Sequence, residues 1–297
     1  MPINKKLNIA IIGSGNIGTD LLIKVMRSEF LTCSLFAGRN FNSVGMKRAN
    51  GLGVMISDRG IEEIVNNPEI CDLVIDCTSA HAHIEHWAIL EKLGKCVIDM
   101  TPAKLGTFCI PAINAEQCLE NGLGNINMIT CGGQASIPIA NAISQVHQHI
   151  DYIEVASSIA SRSAGPATRY NLDEYVETTQ DALKKFSGAA RTKAILILNP
   201  ADPPIDMQTT IYAKIKEPDL PAIQKSVLDM VEKIKTYVPG YQLIVPPTIE
   251  GDKIITTIKV LGAGDYLPQY AGNLDIINCA AIAVAELIAK SNHSQGE

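Results

Sequence analysis

Residues 7–12 form an almost unbroken apolar run, the pattern of a strand buried on both faces of a parallel sheet. A glycine-rich turn follows at 13–18. Residues 19–29 then repeat apolar positions at helical spacing, with Leu21, Leu22 and Val25 on one face. The alternation continues with a strand at 33–37, a helix at 41–51, a short strand at 53–56 and a helical turn or two at 59–66. A buried strand at 73–77, a helix at 80–93 and a strand at 96–99 come next. Residues 126–130 are the following strand, which ends at Cys131, and a helix is predicted over 134–149. Strand alternating with helix in this way predicts a doubly wound parallel sheet over the first ~130 residues, with right-handed crossovers.

The pattern then changes. Strand signals at 153–159, 194–198, 208–216, 242–245 and 253–261 surround helical stretches at 172–186 and 220–237. Longer mixed strands with few helices predict an α+β domain whose sheet is covered on one face. Residues 273–289 form a last apolar helix, rich in Ala and Ile, expected to return to the first domain. The expected division is a first domain of 1–131 with 272–297, and a second of 132–271.

Composition narrows the function. A chain of 297 residues is long for one core and agrees with two domains. With 46% hydrophobic and 19% charged residues it reads as a well-buried globular protein. A net charge of −6 and the absence of a basic stripe argue against nucleic-acid binding. The first seven residues hold no secretory apolar segment, and no apolar run reaches spanning length, so a cytoplasmic protein without a membrane partner is expected. Eight cysteines lie scattered without CxxC or zinc spacing, as reduced free thiols do.

Chemistry enters at three places. Gly13-Ser14-Gly15-Asn16-Ile17-Gly18 follows a strand and opens a helix, the context of a dinucleotide-binding fingerprint. Gly13 suits the tight turn, Gly15 a close approach of pyrophosphate, and Gly18 close helix packing, with the helix N-terminus facing the phosphates. The usual acidic residue after the second strand is missing; Arg39 stands near its place. That arginine either accepts a 2′-phosphate or stacks on adenine, or is a solvated loop charge. NAD and NADP both stay open. The polar stretch 161–171 either lines a phosphate or nicotinamide site, or is an ordinary turn with Asn171 as a helix cap. Cys131 ends a strand before a helix, where the macrodipole favours a thiolate and Gly132 and Gly133 admit a second molecule. Asp76 reads as structural, and His147 and His149 as surface residues. His83 and His86 share a helix face that His81 cannot join, so no metal site is expected.

Thr130-Cys131-Gly132-Gly133-Gln134-Ala135, together with Gly13 to Leu21, resembles the acylating acetaldehyde dehydrogenases. These enzymes are paired with 4-hydroxy-2-oxovalerate aldolase in the meta-cleavage pathways of aromatic hydrocarbon catabolism. Similar stretches recur in order at 76–80, 163–166, 173–179, 199–201, 237–241 and 266–275, across nearly the whole chain. The resemblance implies a Rossmann domain plus a substrate domain like that of glyceraldehyde-3-phosphate dehydrogenases, forming a homo-oligomer. It implies Cys131 as the thioester-forming nucleophile. Cofactor contacts would come from Ser14 to Ile17, from Ser163, Ala164, Gly165, Pro166, Ala167, Thr168, Arg169, Tyr170 and Asn171, and from Asn273 near the nicotinamide. Acetaldehyde would be oxidised by NAD+ and the acyl group passed to coenzyme A. Backbone N–H groups at the start of the helix would stabilise the oxyanion.

Three departures from the family pattern matter. The first is the missing acidic residue around Arg39. The second is Thr209, at the position where the family carries an aspartate near the cysteine. Asp206 lies three residues away, which along a strand is the opposite face, so the base that activates Cys131 stays open. The third is the segment between Val245 and Lys253, shorter than the family's by about a dozen residues, which bears on aldolase docking or a substrate tunnel. A semialdehyde or phosphorylating dehydrogenase, and a dinucleotide-binding partner protein with impaired catalysis, are the competing readings.

Overall fold

The computed structural model describes residues 6–120, 122 and 124–294, excepting the side chains of 166, 167, 293 and 294. The chain divides into two compact units, residues 1–128 with 278–297, and residues 129–277. The divisions fall three and six residues from those read in the sequence.

Among the described residues the first unit holds seven strands: β1 (Leu7–Ile12), β2 (Leu31–Ala37), β3 (Ile56–Ser57), β4 (Leu73–Asp76), β5 (Cys96–Asp99), β6 (Thr107–Phe108) and β7 (Asn125–Asn127). They pair in parallel in the order β3-β2-β1-β4-β5-β7-β6. The order reverses between β1 and β4, so a crevice opens at the carboxyl ends of those two strands. The sheet is accompanied by α1 (Asn16–Arg27), α2 (Val44–Gly51), α3 (Glu62–Asn66), α4 (Ala80–Leu90) and α5 (Pro111–Glu120). Residues 107–120 carried no clear periodicity in the sequence. The reason is visible in α5, where Asn114 leaves helical dihedrals and turns its amide back to Phe108 and Ile110.

In the second unit α6 (Cys131–Val146) leads into β8 (Tyr152–Ala160), α7 (Pro166–Tyr170), α8 (Leu172–Ser187), β9 (Thr192–Asn199) and β10 (Met207–Lys214). Then come α9 (Leu220–Lys235), β11 (Tyr241–Glu250) and β12 (Lys253–Val260). The strands form a mixed sheet in the order β11-β12-β10-β8-β9. Only β8 and β9 are parallel, as the helical connection between them requires. Along β8, β10 and β12 every second residue is buried, which marks one covered face. α6 packs against both α8 and α9. Residues 246–250, read as a connection, extend β11. The chain then returns through Gly251 at φ 60° and Asp252.

α10 (Gly272–Ser294) closes the chain, its part from Asn278 onward belonging to the first unit. There Asn278 donates to Asp20 Oδ2 at 2.8 Å and to the Ile17 carbonyl at 3.3 Å, bracing α1. The expectation that no apolar run reaches spanning length needs correction. Gly272–Asn292 has the length and a mean hydropathy of 1.5, but 72% of the stretch is buried inside the protein, as in a core helix.

Candidate active site

The glycine-rich turn sits at the carboxyl end of β1. Gly13 has φ 113°, and a Cβ there would lie 2.7 Å from the Cys77 carbonyl oxygen. Gly18 packs so closely that a Cβ would collide with the Gly13 carbonyl. Gly15 is the opposite case: nothing lies within 4 Å of where its Cβ would be. It caps α1 with no side-chain acceptor, and no acidic residue stands in the first turn. The outer N–H groups of that turn, around exposed Asn16 and half-buried Ile17, thus face open space in a positive field. Ser14 Oγ accepts a 3.2 Å hydrogen bond from the Ser43 hydroxyl, and its own hydroxyl abuts Gly38. Exposed Arg39 follows Gly38 at the end of β2, on the same rim.

Beside this rim lies a buried polar network. His83 Nδ1 donates to Asp76 Oδ2 at 2.9 Å, and His86 Nδ1 donates to the same oxygen at 2.8 Å. The other nitrogen of His83 is 3.3 Å from Asp99 Oδ2 and 2.8 Å from the Asn125 amide. Burial alone would raise Asp76, but the two imidazoles win and hold its carboxyl well below the ordinary range. Asp99 goes the other way: burial pushes it up to about 7, against the His83 charge and the Thr101 N–H. Asp76 also binds the Thr78 N–H and hydroxyl, fixing the chain after β4 where it meets Gly13.

In the second unit Cys131 is the first residue of α6, which begins three residues before the helix read from 134, and three residues separate it from β7. Among them Ile129 has φ 64°, a costly left-handed conformation for a β-branched residue, of order 1–3 kcal/mol. Thr130 caps the helix by accepting from the Gly133 N–H at 2.9 Å. The Gly132 N–H donates instead to the Tyr175 hydroxyl at 3.0 Å, and the half-buried Cys131 sulfur lies 3.7 Å from that hydroxyl. The Gln134 N–H is taken by the Thr130 carbonyl. Of the N–H groups at the start of this helix, read as oxyanion donors, those of Gly132, Gly133 and Gln134 already have partners. Burial raises the Cys131 thiol above its ordinary range, outweighing the Tyr175 hydroxyl and the nearby N–H groups that pull it down.

Thr209 is fully buried on β10 and shares a 2.9 Å hydrogen bond with Ser157 of β8, whose Oγ lies 3.0 Å from where a Gly132 Cβ would be. Asp206 precedes β10 and lies 3.8 Å from Lys259. It does not join Thr209. Residues 161–171 are more ordered than an open loop, with a 3-10 turn at Ser161–Ser163 and the single turn of α7. Ser163 is buried and donates to the Ala160 carbonyl at 2.8 Å, with Ala164 buried and Gly165 half-buried beside it. Arg169 donates to the Ala164 and Ser161 carbonyls, each at 3.0 Å, which fixes the segment. Half-buried Thr168 stands beside it in α7, Tyr170 is 86% exposed, and Asn171 precedes α8 without a side-chain cap bond. The side chains of Pro166 and Ala167 lie outside the described residues. Asn273, at the start of α10, is fully buried with neither amide atom hydrogen-bonded. His147 is not a free surface residue, since it accepts the Asp219 N–H at 2.8 Å.

Tyr175, Thr130, Thr179 and Ser157 were missed in the sequence. Their signal is faint but real: Tyr175, Thr178 and Thr179 carry hydroxyls at positions where the helical spacing of α8 calls for apolar side chains.

A doubly wound parallel sheet, with a second unit built on a mixed sheet, defines a two-unit fold of Rossmann type. Two solved aspartate semialdehyde dehydrogenases share this fold. The enzyme from Candida albicans, solved with NADP, superposes with a TM-score of 0.67 at 10% identity, covering 97% of this chain and 99% of its own. The enzyme from Vibrio cholerae, solved in complex with ASA, gives 0.66 at 15%, covering 96% and 99%. Residues 131–268 match the family model of prokaryotic acetaldehyde dehydrogenase, dimerisation. An acetaldehyde dehydrogenase of Pectobacterium atrosepticum is 71% identical over 99% of both chains. One of Spirochaeta aurantia is 55% identical over 98% of this chain and 97% of its own. The chain belongs to the acetaldehyde dehydrogenase family.

Proposed function

We propose that the chain oxidises acetaldehyde, or a similarly short aldehyde, to its CoA thioester with NAD+, through an acyl thioester on Cys131. The observation that carries this reading is the half-buried Cys131 thiol at the first turn of α6, ringed by hydroxyl and N–H groups, in the unit that matches the family model. The relatives' names supply the aldehyde.

The residues present fit a dinucleotide. The open space over Gly15 and the uncapped first turn of α1 suit a pyrophosphate held by Gly13, Ser14, Gly15, Asn16, Ile17 and Gly18. The buried, unpaired amide of Asn273 is what a carboxamide would satisfy, and an orphan of this kind costs about 1–3 kcal/mol until it is. Ser163 to Asn171 would complete the cofactor contacts. When bound, the nicotinamide supplies the acceptor for the hydride that leaves the substrate carbon.

The steps on the protein follow from the thiol. Cys131 loses its proton to water and its sulfur attacks the aldehyde carbon, giving a hemithioacetal. Oxidation leaves an acyl thioester on Cys131. The thiol of coenzyme A then attacks the carbonyl, the bond to Cys131 breaks, and the thiolate is regenerated. Arg39 is the one observation favouring NADP as well, because it stands exposed at the end of β2 where a 2′-phosphate would be read. A homo-oligomer built on the second unit, a cytoplasmic location and an aldolase partner belong to the same reading.

CoA-dependent acetaldehyde oxidation, run with NAD and NADP side by side, tests it. Cys131→Ala is expected to abolish acylation while binding NADH nearly as wild type does. Substantial CoA-dependent NADH formation by that variant would overturn the assignment. Phosphate acting as acyl acceptor in place of CoA would do the same.

A further inference from the structure

Cys131 lacks the charged partner that usually activates a nucleophilic thiol. Among the described residues no carboxylate or imidazole hydrogen-bonds its sulfur. The side-chain group that reaches it is the Tyr175 hydroxyl, at 3.7 Å. Near Gly132 stands the hydroxyl of Ser157, paired with that of Thr209.

Tyr175 is held for this position from both ends. Its side chain is 6% exposed, and its oxygen receives the Gly132 N–H at 3.0 Å. Its own backbone carbonyl accepts from Thr179 Oγ1 at 2.7 Å, and Thr179 Oγ1 is 2.8 Å from Thr130 Oγ1, the cap of the helix that carries Cys131. One hydroxyl network therefore fixes α8 to the first turn of α6. The absence of a Cβ at Gly132 is part of the arrangement, because a methyl group there would collide with the Tyr175 hydroxyl.

We propose that the Tyr175 hydroxyl is a catalytic group of this chain, donating a hydrogen bond to the Cys131 thiolate and making that thiolate accessible in place of a charged base. The proposal rests on the reading of Cys131 as the nucleophile. In the resting thiol the S–H donates to the phenol oxygen. When the thiol ionises, its proton leaves to water and the phenol O–H turns onto the sulfur lone pair, while the Gly132 N–H continues to donate to the phenol oxygen. The phenol keeps its proton throughout, since burial and the facing sulfur hold it well above its ordinary range. It is a donor, not a base. A charge-assisted bond of this kind is the strong kind, and its loss is felt as an ionisation shift.

The test reads the sulfur directly. Full-length protein is alkylated with iodoacetamide from pH 6 to 11.5, and modification of the Cys131 peptide is followed by mass spectrometry. Tyr175→Phe is expected to move the midpoint up by roughly one pH unit and to slow acylation at neutral pH about tenfold, the scale of one charge-assisted hydrogen bond. Difluorotyrosine incorporated at position 175 makes the phenol a stronger donor and is expected to move the midpoint down, which a merely structural role would not do. A midpoint that stays in place in folded Tyr175→Phe overturns the proposal, as does one that fails to fall with difluorotyrosine. The second arm keeps the test decisive if Tyr175→Phe does not fold. Failure of the wild-type protein to oxidise acetaldehyde would strike the function reading instead, and shows in a separate assay.

Discussion

Replacing Gly15 with alanine separates binding from folding at the glycine-rich turn. Gly15 has φ −79° and ψ −169°, an extended conformation open to alanine, and a Cβ there meets no heavy atom within 4 Å. The stability cost is then the small preference for glycine over alanine at a helix N-cap, below about 1 kcal/mol. In a protein of this size that lowers Tm by at most roughly 4 °C. The same methyl occupies the space that the fingerprint reserves for pyrophosphate. Losing one charge-assisted phosphate contact costs about 1.5–3 kcal/mol, so NADH should bind about ten- to a hundredfold more weakly. Gly13→Ala is the contrasting control, with its φ of 113° and the Cys77 carbonyl 2.7 Å from the new Cβ. Strain of about 1–3 kcal/mol and overpacking of similar size should lower its Tm well beyond that of Gly15→Ala. Calorimetric titration with NADH, paired with thermal melts, measures both. Wild-type affinity in Gly15→Ala, or wild-type stability in Gly13→Ala, would refute the reasoning.

Two further outcomes follow from buried polar groups. Asp99, pushed up to about 7, keeps a proton in the folded state that an unfolded carboxyl, at about 3.9, releases. The folded state binds more protons across that window, so this contribution to stability falls as pH rises from about 4 to 7. Urea unfolding of wild type and Asp99→Asn across that range should show the wild-type advantage shrinking with pH, and a difference that stays flat would contradict the assignment. Tyr241 is fully buried and donates to the Ala135 carbonyl of α6 at 2.6 Å. Tyr241→Phe should lose about 1–2 kcal/mol in a urea titration, and an unchanged midpoint would count against that bond.

The sequence told most where its periodicity had one cause. β1 and β5 lie where the apolar runs placed them, because strands buried on both faces leave little choice of end point. The carboxyl-terminal part of β11 escaped notice because most of its residues are exposed and two are prolines, which read as a connection. α5 escaped because its kink breaks the helical spacing. At the site, Gly13 to Gly18 and Cys131 announced themselves through motifs that need those residue types. Tyr175 did not, since its place beside Cys131 comes from where α8 carries it and not from any spacing to Cys131. Asp99 was likewise silent: an aspartate ending a strand says nothing of the histidine it will face across two elements.

The central claim is that Cys131 carries the acyl group. Protein mixed with acetaldehyde and NAD+ in the absence of coenzyme A, quenched in acid and digested, should yield an acetyl group on the Cys131 peptide. Adding coenzyme A before the quench should discharge it as acetyl-CoA. An acetyl group on another residue, or turnover to acetyl-CoA with Cys131 never modified, would contradict the account.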